Sequence, residues 1–532
     1  MVQVGDGFVF NGYGNEIPNS AVKGESTAIH RHPFLVPKDP SADVLPLPGV
    51  HPDYPEVTTT ESAWRHGVAL AGDKPCLGWR PAAVAPATEA GEYTYISYNE
   101  SDKIATEFGR GLVSDGLCPI QVYDESAAQA AVVASGGKGL DYVKSRVGVA
   151  PDEDLSIRTL GFYMINQPAW VLACQGCNKH GITTVPLYAT LGPTAVEYSI
   201  NMLKLHAVVA DTRAAAKLIK LVNSDNAPPS LKVIVVVQQG DPRAAIDASA
   251  MAKLSAAAGD AVQIVTFHDV QAHGAALGAD AVSALPTSIP KPLDIATISF
   301  TSGTTGDPKG AMLSHANLVA TCAAVCKGEI PLGPNDVHLS YLPLAHIFER
   351  VMTEALLCSG ARIGFIQGPT KKFLLKDLGV LHPTIFPSVP RLYNMIYDKT
   401  MAAVASGTAC KSGLFAKALA SKVDWLKQGY VTHKFWDTLI FSKIKAKFGL
   451  DRIRVMITGA APIPSHVIEF LRVAFCCPVI EGYGQTESAA ASFIQRQADT
   501  SMGHVGCPVS VFYFPSLFLY RLYILVRILL TI

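Results

Sequence analysis

The chain has 532 residues, 49% of them hydrophobic and 17% charged, and its 44 Lys and Arg side chains balance 44 Asp and Glu to a formal charge of zero. At roughly 150 residues per compact unit, that length allows three or four units or one large multi-lobed enzyme. The composition is that of a globular protein, and without a basic excess it argues against a nucleic-acid partner.

Residues 1–70 read as an irregular arm, rich in Pro, Asp, Gly and His, as in "HPFLVPKDPSADVLPLPGVHPDYPE". The first thirty residues lack a basic start and a continuous apolar stretch, so no secretory leader is expected and the cytosol is the expected compartment. Eleven cysteines without a tight spacing framework agree with reduced thiols. From Tyr93, "YTYISYNESDKIATEFGRGLVSDGL" predicts a short strand and an amphipathic helix with Ile104, Phe108 and Leu112 on one face. Residues 121–156, rich in Ala, Ser, Gly and Asp, read as a surface insertion.

Alternation then resumes through the strand-like "RTLGFYMIN", the helix "AWVLACQGCNKH", the strand-like "GITTVPLY", the helix "AVEYSINMLKLH" and the strand "AVVAD". Cys174 and Cys177 form a C-x-x-C on that first helix, but no second pair follows at zinc-ribbon spacing, so metal or redox use is not expected. The run "LKVIVVVQQ" predicts a fully buried parallel strand, and the pattern as a whole predicts right-handed βαβ units.

"TSGTTGDPKG", 301–310, follows the strand-like "DIATISF" and precedes the helix-like "SHANLVATCAAVCK", for which Ser314 is a candidate N-cap. The loop is therefore expected to join a strand to a helix. Glycines at 303, 306 and 310 permit close backbone approach to a ligand. The hydroxyls of Thr301, Ser302, Thr304 and Thr305, with successive N–H groups, can donate to phosphate oxygens, and Lys309 adds a mobile positive charge. The spacing is not that of a Walker A loop.

This loop resembles the phosphate-binding loop of the adenylate-forming, AMP-binding superfamily, which includes acyl-CoA synthetases, luciferases and peptide-synthetase adenylation domains. Three further stretches resemble that superfamily in the same order. In "VIEGYGQTES", 479–488, the resemblance implies that Glu481, Gly482 and Gly484 belong to the nucleotide motif. Tyr483 packs on adenine there, Thr486 reaches the α-phosphate and Glu487 helps hold Mg²⁺. In "MITGAAPIP", 456–464, Gly459, Ala460, Ala461 and Pro462 line the adenine and acyl pocket. In "YLPLAHIFER", 341–350, His346 borders the carboxylate and thioester site. The implied loop donors include Gly303 and Gly306, and the implied catalytic set is Lys309, His346, Thr486 and Glu487.

Over roughly 75–508 the sequence is most similar to eukaryotic long-chain fatty acyl-CoA synthetases, whose addition before the adenine segment matches the helix-rich 401–449. The resemblance implies an α/β fold: a large multi-subdomain adenylate-forming N-terminal region, 71–508, with parallel-rich sheets flanked by helices. It also implies ATP, Mg²⁺ and CoA as substrates and cofactor, and a long-chain fatty acid as the activated acid. Two readings stay open beside it: a non-catalytic nucleotide- or acyl-binding chain, and a ligase for another carboxylic acid.

Such enzymes continue past "SMGHVGCP" into a Thr-Gly-Asp segment that grips ribose and a mobile C-terminal domain with an adenylation lysine. Neither is found here, so turnover by this chain is left open. The apolar tail 509–532 reads as residues foreign to the fold, as a membrane element or as a core segment. Its last 16 or so residues reach only ~24 Å as a helix, short of a span. An interfacial helix is the expected membrane form, and it would place the chain peripherally on the cytosolic face of the endoplasmic reticulum or another membrane.

Overall fold

The structure, a computed structural model, describes residues 54–81, 91–122, 156–188, 192–286, 289–301, 308–328 and 330–509. It adds four two-residue strands in the arm, Gln3–Val4, Gly7–Phe8, Asn15–Glu16 and His30–Arg31. Most of the expected insertion (123–155) and of the tail (510–532) lies outside these residues.

β-Branched runs without polar alternation make strands that are buried on both faces. Val233–Val237 is the clearest: every residue is buried, and it pairs in parallel with Ala207–Asp211 on one side and Gln263–Thr266 on the other. Period-two alternation sends Val233, Val235 and Val237 into one core and Ile234 and Val236 into another. The sheet continues through Thr159–Tyr163 and Thr183–Pro186 to Ile295–Thr301, all parallel, and ends on the antiparallel Lys309–Ser314.

A second sheet of nine strands has a parallel centre of Val479–Tyr483, Val455–Thr458, Ile385–Ser388, Val337–Ser340, Arg362–Phe365 and Pro75–Trp79. Antiparallel strands close it: Thr94–Ser97 at one edge, Phe493–Ile494 and Cys507–Pro508 at the other. Between the sheets lie the helices Tyr98–Ser114, Pro168–Lys179 and Ile347–Cys358. Their Phe108, Trp170 and Leu356 share one core with Phe162 and Val235 of the first sheet and Leu77 and Ile457 of the second. Cys174 and Cys177 are buried in that core, and burial pushes both thiols up in pKa.

Two expectations need correction. The arm does not extend to residue 70, because Thr60–Ala71 is a helix opened by a capping box between Thr59 and Ser62. Its Trp64 is buried and donates from Nε1 to Asp102 Oδ1 at 2.7 Å. The Gly-Thr loop does not join a strand to a helix either. Thr301 lies opposite Lys309, so the loop links the two strands of a hairpin. Ala311, Met312 and Leu313 are all buried, and a short run apolar on both faces carries no period to betray it as a strand. The helix follows from His315, and Ser314 Oγ does accept from Asn317 N, at 3.2 Å.

His315 is 3% exposed, with Nδ1 2.7 Å from Thr60 Oγ1. Burial pushes its pKa from 6.5 down to about 4, and Arg350 pushes the same way. The unfolded chain therefore binds this proton more readily than the folded one. The stabilisation is complete above about pH 6.5 and is lost as the pH falls toward 4, on the order of 3 kcal/mol in all. Urea melts between pH 7 and 4.5 should show an acid-side loss of stability that is shallower in His315→Gln. Equal slopes would place the sensitivity at other groups, such as His180, which burial also lowers to about 4.

Candidate functional site

Open α/β sheets leave room for ligands at the carboxyl ends of their parallel strands. Val455–Thr458 and Val479–Tyr483 are parallel neighbours, with Thr458 opposite Glu481, and a glycine follows each, Gly459 and Gly484. A cavity of about 230 Å³ opens there. Its walls come from Thr458 to Ala460, from Gly482 to Thr486, and from His346 to Phe348 with Val351 and Met352. Stretches around 346, 459 and 483 thus converge on one cavity.

Tyr483 is 46% exposed. Its ring lies 6.2 Å from that of Phe493, tilted by 55°, and its hydroxyl accepts from Gln485 Nε2 at 2.9 Å. An aromatic ring so held offers a face to a planar ligand. Thr486 opens a 3₁₀ turn, Thr486–Ser488, in which Gln485 N donates to Ser488 Oγ at 3.0 Å. The turn packs against the hairpin strand Lys309–Ser314. Leu313, Ile347, Val351 and Ala489 form a small core that fixes hairpin, helix and turn together.

His346 caps the helix Ile347–Cys358: its Nδ1 accepts from Phe348 N at 3.2 Å. The neutral imidazole then carries its proton on Nε2. Burial against the cavity wall lowers its pKa, and Glu349 opposes that shift. The helix behind it is rigidly seated, since Glu349 and His338 are both fully buried and meet at 2.9 Å. Thr458 Oγ1, also in the wall, has no hydrogen-bond partner among the described residues. Ala460 and Ala490 hold positive φ angles of 69° and 81°. For residues with a Cβ that costs roughly 1–2 kcal/mol each, the kind of strain found where a site demands a fixed backbone.

Other expected residues lie off the cavity wall. Ala461 and Pro462 are exposed just beyond Ala460, and Glu487 is half-buried in the 3₁₀ turn. Glu481 is 7% exposed, and its N donates to Gln495 Oε1 at 3.0 Å. Burial raises its carboxyl pKa, against the pull of Arg472. Thr301 and Lys309 face each other at the hairpin's open end, with Thr301 Oγ1 3.4 Å from Lys309 O. Ser302, Gly303, Thr304, Thr305 and Gly306 lie outside the described residues. Sequence reasoning missed Phe348, Met352, Gln485, Ala490 and Phe493, all in the wall. The i, i+4 pair Phe348 and Met352, just after His346, was a usable signal; Ala490 and Phe493 carry none.

A family profile described as AMP-binding enzyme matches residues 147–513. The chain is 36% identical over 457 residues to long chain acyl-CoA synthetase 7, peroxisomal, of Arabidopsis thaliana, covering 86% of this chain and 57% of that protein. It is 34% identical over 460 residues to long-chain-fatty-acid–CoA ligase 1 of Homo sapiens, with the same two coverages, 86% and 57%. The chain therefore spans little more than half the length of these curated relatives. Among solved structures, the adenylation domain of a carboxylate reductase from Mycobacterium chelonae superposes with a TM-score of 0.60 at 17% identity, over 82% of this chain and 59% of that one. An anthranilate CoA ligase in complex with anthranoyl-AMP gives 0.55 at 17% identity, over 86% and 65%. At such identities the likeness is one of fold.

Proposed function

Because the chain belongs to the AMP-binding enzyme family, we propose that it activates a long-chain fatty acid with ATP and passes the acyl group to CoA. The carrying observation is the single cavity in which His346, Gly459–Ala460 and Gly482–Thr486 converge. The acid's chemical class comes from the long-chain relatives.

In this reading adenine stacks on Tyr483 above the small residues Gly459 and Ala460. The fatty-acid carboxylate oxygen attacks the α-phosphorus, the bond to pyrophosphate breaks, and an acyl adenylate remains. The Thr486 hydroxyl donates to the α-phosphate, while Lys309 and the 301–306 donors offset charge on the departing phosphates. Mg²⁺ supplies further neutralisation of phosphate charge, and Glu487, a half-buried carboxylate at the head of the turn, fits it as a hard oxygen ligand. The CoA thiolate then attacks the acyl carbonyl near His346 and AMP leaves.

ATP–pyrophosphate exchange with a palmitate-class acid tests the first step. Lys309→Met and Glu487→Gln should each lower the rate by about 10²-fold or more; unchanged exchange in both would show that the residues are misassigned. Acids of graded chain length test the substrate class. A second reading is a nucleotide- and acyl-binding chain without turnover. It predicts calorimetric ATP binding and no exchange with any acid.

A further inference from the structure

The chain's charge sums to zero, yet residues 409–447 hold eight lysines, two aspartates and neither arginine nor glutamate. Lys422 and Asp437 neutralise each other in a buried pair at 2.5 Å, which leaves seven lysines against Asp424. Six of the seven sit on the helices Ala409–Lys427 and Ser442–Lys447, and Lys434 opens the short helix Lys434–Trp436; with Pro390–Ala405 these helices cover the outer side of the nine-stranded sheet.

Between them lies a hollow of about 480 Å³, remote from the nucleotide cavity in its lining. Leu375, Val404, Ile444 and Phe448 wall it, and the exposed Lys399, Lys411 and Lys447 border it; no acidic side chain lines it. The same helical layer exposes large apolar side chains: Leu414, Trp425, Phe435 and Leu439 are 41%, 37%, 61% and 40% exposed. Leu414 and Trp425 are three helical turns apart and so share a face, as do Phe435 and Leu439 at i, i+4.

We propose that this lysine-rimmed hollow and the apolar side chains exposed on the same helical layer form a docking face for an anionic phospholipid surface. Lysine ammoniums meet lipid phosphates while Trp, Phe and Leu side chains enter the headgroup boundary. Their stems cover the apolar wall as they reach out. None of the helices among the described residues is long and apolar enough to cross a membrane. The inference stands apart from the ligase reading, because it concerns adsorption without turnover.

Flotation of the full chain with phosphatidylserine-containing vesicles, and with pure phosphatidylcholine vesicles, tests it. Binding should be selective for the anionic vesicles and should weaken with salt. Lys399→Gln/Lys411→Gln/Lys447→Gln should lower partition on the order of a hundredfold, about fivefold per lysine. The same charge removed at Lys220, Lys232 and Lys253, exposed on the other sheet's periphery, should leave it unchanged. Equal adsorption to neutral vesicles, or wild-type adsorption by the first triple variant, would overturn the proposal and move attachment elsewhere, to the apolar 509–532 for instance. Release by millimolar inorganic phosphate at fixed ionic strength would instead mark a free-anion site. Loss of single-stranded RNA binding with vesicle binding intact would mark a nucleic-acid face.

Discussion

Gly484→Ala is expected to abolish measurable ATP binding and to lower stability by about 3 kcal/mol. A Cβ at this position would lie 1.4 Å from the carbonyl oxygen of Ala490 and 3.0 Å from the Ala491 Cα. No rotamer relieves a clash with backbone. The chain returns on itself here: Ala490 N donates to Gln485 O at 3.0 Å and Ser492 N to Tyr483 O at 2.8 Å. To admit a methyl group the 490–492 segment must withdraw, and Tyr483 and Thr486 lose their shared geometry. Gly413→Ala is the matching control, because nothing lies within 4 Å of its added Cβ. Inside a helix that change should stabilise by up to about 1 kcal/mol. Calorimetry with ATP and urea melts of both variants decide the matter; a Gly484→Ala chain with wild-type affinity and midpoint would refute the packing of this turn.

Asp377→Ala should cost about 3–5 kcal/mol, the range for breaking a buried ion pair from one side. Asp377 is fully buried and Arg80 6% exposed in side chain, with Nη1 to Oδ1 at 2.8 Å. The aspartate also accepts from Gln367 N at 2.8 Å, and Arg80 Nε donates to Gly91 O at 2.8 Å. Removing the carboxylate takes the buried countercharge from the guanidinium, whereas Arg80→Met/Asp377→Leu removes both charges and should recover much of the loss. Equilibrium urea unfolding of the single and double variants gives the coupling directly. A single variant within 1 kcal/mol or so of wild type would mean the pair is solvated.

Sequence carried the local parts of this fold well. The Ile104–Phe108–Leu112 stripe and the Val233–Val237 strand each depend on neighbours within one or two turns, and both were found where their chemistry put them. The motif residues His346, Gly459, Gly482, Tyr483 and Thr486 could be grouped by resemblance, and they do share a cavity. What stayed hidden was non-local. Lys309–Ser314 is a strand only because Ile295–Thr301 exposes an edge to it. The helix Thr60–Ala71 hid behind prolines and threonines, although its Thr59/Ser62 capping box was there to be seen. Phe493 reaches the cavity through an antiparallel pairing with Tyr483, which no periodicity announces.

The pairing of Leu77 with Ile363 bears on how this chain leaves the ribosome. The nine-stranded sheet places Pro75–Trp79 beside Arg362–Phe365, so an early strand must wait for a partner made about 290 residues later. At translation rates of roughly 5–20 residues per second that wait lasts on the order of 15–60 s. Throughout it, Cys76, Leu77 and Trp79, all buried in the finished protein, have no sheet to enter on that side. Thr94–Ser97 can pair with the waiting strand as a hairpin, but an isolated hairpin is marginal in water. The nascent chain therefore presents a sticky β edge for most of its synthesis, and its yield in a cell should depend on holdase chaperones that shield that edge until Arg362–Phe365 emerges.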